Sequence, residues 1–292
     1  MQRVGNLEPV GSNRVRSDRI FPETRWISAI IVPFLVAAFI ILYLLPDHTQ
    51  EVFAWGIQPR MSAMMLGAAY IGGAYFFVHA ASNARWHWVQ VGFLPVTTFA
   101  TLMGIATILH WDRFNHGYLS FFAWVGLYFT TPFIVFLLWL RNQATDPGPL
   151  SHELRVPRLV RLVIGFVGGL TLLTSIILFL QPGFMISVWP WQLTALTARV
   201  MGALFALTGV GELAIALDAR WSAVRIPLQS QMIGVVLIAL AILFSWSNFH
   251  QANPLTWVFI ASILFLLVAS PLFYLWMERR GKVLERAASS QS

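Results

Sequence analysis

Eight apolar runs, each about the length of one membrane crossing, alternate along the chain with short polar or Pro/Gly-containing breaks. They cover residues 26–45, 61–81, 89–110, 118–140, 160–180, 193–217, 228–246 and 255–277. A bilayer core about 30 Å thick needs about 20 apolar residues per helix, so each run reads as a transmembrane helix. A membrane β-barrel would show segments of about ten residues with alternating polarity, and none is present. The pattern predicts an all-α integral membrane bundle of about eight transmembrane helices.

Composition agrees, with 58% hydrophobic residues, 11% charged residues and a mean hydropathy of +0.69. Such a chain is not an ordinary soluble domain. Residues 1–25 are polar and carry Arg3, Arg14, Arg16, Arg19 and Arg25. They read as a cytoplasmic tail rather than a signal peptide, because the apolar run that follows is full length and no small-residue cleavage site closes it. Positive loop charge resists translocation. With the N-terminus inside, most of the 19 Lys and Arg fall on the cytoplasmic side, including Arg85, Arg220, Arg225 and the cluster at 279–286, whereas Arg60 and Arg113 fall outside. Both termini are therefore expected in the cytoplasm. The net charge of +7 follows from topology and does not point to nucleic acid. The 13 tryptophans cluster near run ends, where indoles favour the headgroup boundary. The absence of cysteine rules out disulfides, thiolate metal sites and covalently attached c-type haem. No cofactor is expected.

The chain also repeats itself. Ala84-Arg85-Trp86 recurs as Ala219-Arg220-Trp221, Gly67-Ala68 as Gly202-Ala203, and Trp111-x-x-Phe114 as Trp246-x-x-Phe249, all at an offset of 135. Residues 61–116 align without gaps on 196–251 with 12 identities in 56 positions. An even number of helices per unit returns the chain to its starting side, so two parallel four-helix repeats are expected, at 26–140 and 160–277. A cytoplasmic linker at 141–159 joins them, and 278–292 forms a C-terminal cytoplasmic tail. Small residues four apart, such as Gly165 and Gly169 or Gly202 and Ala206, suit close helix approach.

Ionisable groups inside spans are the natural functional candidates. Arg199 could receive an anionic substrate group, or could reach the outer headgroups or pair with Asp47 or Glu51. Glu212 could be a proton or cation site, or could reach the inner interface or pair with Arg85, Arg220 or Arg225; its shallow depth favours the second reading. Thirteen residues separate the two, about 20 Å along a helix, so they form no single site. His79 lies near the depth of Glu212, but residues two apart differ by about 200° around a helix, which argues against a couple. The outer loops offer His110, Asp112, His116 and His250 as metal candidates without the convergent spacing that ligation needs, and no metal is assigned. Thr130-Thr131-Pro132 should kink the fourth helix by removing a backbone hydrogen bond, with the threonines helping to satisfy the freed carbonyls, and broken helices often line transporter sites.

The stretch Phe53-Ala54-Trp55-Gly56-Ile57-Gln58-Pro59, followed by Ser62-Ala63 and Leu66-Gly67, resembles a loop pattern of uncharacterised bacterial multi-pass integral membrane proteins. That resemblance implies a multi-pass protein of the bacterial plasma (inner) membrane and carries no activity or functional residue with it. Three functions compete on the residues alone. The first is a transporter of small solutes or lipids with its site between the repeats. The second is a non-catalytic component that assembles with partner proteins in the bilayer. The third is a redox subunit binding haem or quinone. No familiar catalytic motif is present, which argues against an enzyme.

Overall fold

The computed structural model describes residues 16–83, 85–148 and 153–289. Most of the expected N-terminal tail, with Arg3 and Arg14, and part of the linker lie outside the described residues. Among the described residues there is no strand, and eight helices are long and apolar enough to cross a bilayer. They are α1 (Pro22–Phe39, prolonged by a π turn at Ile40–Leu44), α2 (Arg60–Ser82), α3 (Gln90–Leu109), α4 (Leu119–Gln143), α5 (Arg158–Leu180), α6 (Ala195–Leu217), α7 (Trp221–Phe244) and α8 (Pro254–Ser289). This is the architecture of a polytopic membrane protein. Helix α7 starts seven residues before the expected 228, because Pro227 removes one backbone bond close to the helix start without ending the helix. Helix α8 continues into the expected tail as far as Ser289. At 1.5 Å per residue its 36 residues span about 54 Å, well beyond an apolar core of about 30 Å.

The halves of the chain interlock instead of standing side by side. The most extensive packing between helices gives two rows, α1–α2–α7–α8 and α4–α3–α6–α5, each with two helices from either half. Backbones approach closely where a glycine faces a neighbour. A Cβ on Gly72 would lie 2.9 Å from the Ser230 carbonyl across α2–α7, and one on Gly104 would lie 2.9 Å from the Tyr128 carbonyl across α3–α4. Between the rows, aromatic rings fill the space. Tyr70 and Tyr128 share a hydrogen bond of 2.6 Å, and Phe93 packs on both Phe76 and Phe77.

Both ends of the bundle are organised by short backbone bridges. On one face, here the terminal face, Trp86 N–H donates to the Asp18 carbonyl and Trp221 N–H to the Leu154 carbonyl, each at 2.9 Å. On the distal face, Asn115 N–H donates to the Ala54 carbonyl and His250 N–H to the Pro190 carbonyl, each at 2.8 Å. Above these bonds sit two aromatic clusters, Trp55 with Phe114 and Trp124, and Trp191 with Phe249 and Phe259. The same contacts thus occur twice, displaced along the chain by 135 or 136 residues.

Candidate functional site

Two seams join the halves, α3–α6 and α2–α7. At the distal end of α3–α6, Arg199 in the second turn of α6 reaches across to His110, the residue that ends α3. Its Nη1 lies 2.6 Å from His110 Nε2. A guanidinium only donates, so this nitrogen accepts, and the imidazole carries its proton on Nδ1. Burial, and then the Arg199 charge, hold His110 below the usual histidine range. Arg199 Nε is buried without a hydrogen-bond partner, and among the described residues no carboxylate lies within ion-pairing distance of this guanidinium. The expected pairings are overturned: Asp47 is bonded to Arg60 and Glu51 to His48.

At corresponding positions of the α2–α7 seam stand Met64 and Ser245, whose Oγ lies 3.7 Å from the Met64 sulfur. The charged contact therefore occurs in one seam only. Beside that second seam the distal surface holds two adjoining depressions of about 160 and 330 Å³, both bordered by Asp47, Arg60 and Phe244. They lie at the rim and not in the middle of the bundle.

Lower in α6, Glu212 faces helix α5 of its own half. A Cβ added at Gly168 would come within 2.8 Å of Glu212 Cβ, and the Thr171 hydroxyl of α5 lies beside the carboxyl group. None of the arginines expected as partners serves. Arg220 is bonded to Asp218 and Asp146, Arg225 lies nearest Glu278, and Arg85 stacks on Trp88 at 5.4 Å. His79 is equally removed from Glu212, with Nδ1 3.0 Å from the Tyr75 carbonyl and its ring against the Tyr75 ring.

The remaining candidates are dispersed. Thr130 is exposed and donates to the Gly126 carbonyl of its own helix at 2.7 Å, while Thr131 and Pro132 are buried. They do not converge on Arg199 or Glu212. Asp112 forms an exposed pair with Arg113, His116 packs against Trp111 and edge-on against Phe121, and the His250 side chain is exposed. Among the described residues no cluster of three or more His, Asp or Glu could hold a metal ion.

The densest polar chemistry lies on the terminal face, where sequence reasoning placed nothing. His87, 3% exposed, bonds Asp18 through its backbone N–H at 3.1 Å and through Nδ1 at 2.7 Å. Asp18 adopts φ 52°, a conformation that Asp tolerates better than most residues. On the other side of His87, Nε2 lies 3.9 Å from Glu153, which also accepts from Ser222. Gln90 donates to Asp218 at 3.0 Å, and Asp218 shares Arg220 with Asp146. These bonds fasten the N-terminal segment and the linker to the helix ends, a structural task that suits their burial. The only sequence signal was the repeated Ala-Arg-Trp, which immediately precedes His87 and Ser222.

No protein-family model matches the chain, and neither the curated proteins nor the solved structures contain a match to it.

Proposed function

We propose that this protein binds and translocates a small anionic solute or a lipid with an anionic headgroup, with Arg199 at the distal end of the α3–α6 seam receiving the anion. One observation carries the reading: a half-buried guanidinium touches an imidazole and, among the described residues, has no carboxylate beside it. A cation kept from water without a counter-charge is costly, and a carboxylate or phosphate arriving there would relieve that cost with charge-assisted hydrogen bonds. The duplicated bonds and aromatic clusters support the reading of two parallel four-helix repeats, in which the Arg199–His110 contact of one seam is matched by Met64 and Ser245 in the other. The concentration of arginine near the terminal face supports placing both termini in the cytoplasm, and the resemblance of the Phe53–Pro59 loop is what supports a bacterial inner membrane.

The test is the thermal unfolding midpoint of the purified protein titrated with sodium phosphate or acetate, in nanodiscs of neutral lipid and of phosphatidylglycerol. A ligand at 100 times its Kd stabilises by about 2.7 kcal/mol. We expect the midpoint to rise with the anion in the wild type and to stay flat in R199Q. A rise with free anion in neutral lipid assigns a solute; a rise only with phosphatidylglycerol, again lost in R199Q, assigns a headgroup. If neither moves the wild-type midpoint, the reading fails. The response also has a sign in pH. A bound anion offsets the Arg199 charge that holds His110 low, so binding takes up a proton and affinity climbs as pH falls. Affinity that is constant or declines with acidification would remove His110 from the site.

A further inference from the structure

We infer that Glu212 is a proton-binding site: a carboxyl group that stands protonated in the α5–α6 seam and exchanges its proton with water on the terminal face. The inference is independent of Arg199. Its basis is how α5 and α6 meet. A Cβ at Gly209 would lie 2.9 Å from Leu172 N and 3.0 Å from the Gly168 carbonyl, so the two backbones nearly touch one turn from Glu212. The glycines lay the glutamate along the seam, and there its Oε2 is buried with no hydrogen-bond partner.

Among the described residues no cation compensates it. From α5, Arg161 spends its guanidinium on the Ala216 and Leu217 carbonyls at 2.8 and 3.1 Å, and Arg158 lies a full turn nearer the helix start. On α6, Asp218 is held by Arg220 and Gln90, and Arg199 lies thirteen residues away, about 20 Å along the axis. Helix α3, on the other flank, offers Pro95 to Gly211 and contains no Asp, Glu, Lys, Arg or His. His79 of α2 and Arg225 of α7 are engaged elsewhere.

An ionised carboxylate there would lose much of its hydration with a single hydroxyl in return, whereas a neutral acid leaves at most one polar group unmet. Packing does not require the acid. At the corresponding position of α2 stands Phe77, buried to 3% exposure, so the fold accepts an apolar side chain at this depth. Glu212 is five residues from the end of α6 at Leu217, about 7.5 Å, which keeps it within reach of water from the terminal face.

Infrared spectroscopy of the reconstituted full chain tests this, with dicyclohexylcarbodiimide, which modifies protonated carboxyl groups in membranes, as the mapping probe. The expected result is a protonated-acid carbonyl band at neutral pH that is absent in E212Q and shifted in E212D. A carbodiimide adduct should map to the peptide containing Glu212, with labelling falling about tenfold per pH unit above its midpoint. Should E212Q not fold, E212D and the adduct in the wild type carry the test. The inference is overturned if the wild type shows no such band at neutral pH, or if the band persists unshifted in E212D with the adduct on another residue.

Discussion

Replacing Arg220 with glutamine will destabilise the protein more than any other single charge substitution on the terminal face. Arg220 is 5% exposed and bridges Asp146 at 2.6 Å and Asp218 at 2.7 Å, tying the linker to the junction of α6 and α7. Removing one partner of a buried ion pair costs roughly 3–5 kcal/mol, mostly because the other charge stays buried and unmatched; here two carboxylates are stranded. The check is the unfolding midpoint of R220Q against R225Q, whose guanidinium is more exposed and lies 3.9 Å from its acid; R225Q should lose no more than about 1 kcal/mol.

The pH dependence of R220Q should change as well. Burial alone pushes the Asp146 carboxyl up, but bonds from Arg220 and from the Gly148 N–H outweigh it and hold the group below its ordinary 3.8. A carboxyl depressed in the folded state contributes stability that is fully present above the unfolded value and is lost as pH falls through the folded one. Wild type should therefore weaken below pH 3.8. In R220Q burial prevails, the shift reverses, and mild acid should partly restore stability. Equal acid profiles in the two proteins would remove Arg220 as the cause.

The second large effect is expected from Gly209→Val. The added atoms would meet Leu172 N and the Gly168 carbonyl at about 3 Å, and backbone cannot step aside as a side chain can. Overpacking typically costs about 1–3 kcal/mol and sometimes more; this site belongs at or above the top of that range, because α5 and α6 share the most extensive contact in the molecule. Gly169→Ala is the control. Nothing lies within 4 Å of its added Cβ, and in a helix that change favours the fold by up to about 1 kcal/mol. A Gly209→Val protein as stable as the wild type would mean that the seam is looser than the glycines indicate.

That pair of glycines also marks the reach of sequence reading. Spacing four singled out Gly165 and Gly169, but the helix crossing uses Gly165 and Gly168, because which side of α5 meets α6 depends on both helices. The same limit applies to the charges. Arg199 and Glu212 were legible as anomalies in apolar runs, yet their surroundings were not. Arg199 reaches a histidine 89 residues away, and Glu212 turns toward α5 and away from every arginine expected as its partner. Thr130-Thr131-Pro132 was visible as a local irregularity, but only the packing of α4 shows that Thr130 faces out. The terminal-face network draws Asp18, His87, Glu153 and Ser222 from four separate segments, so no spacing rule could have assembled it.

What the sequence by itself determined is the all-α membrane class, the number of helices, and their ends to within a few residues for most. In hydrocarbon a backbone must satisfy its hydrogen bonds internally, and a helix does so within one segment, so the information needed is local and written in run length. The tertiary structure alone decided that the two halves interlock in mixed rows, that Arg199 meets His110 in one seam where Met64 meets Ser245 in the other, and that Glu212 lies against glycine. Lipid is as apolar as the helix faces it covers, so burial selects no partner. Partners are chosen by the shape of small residues and by polar contacts between distant segments, which exist only once the chain is folded.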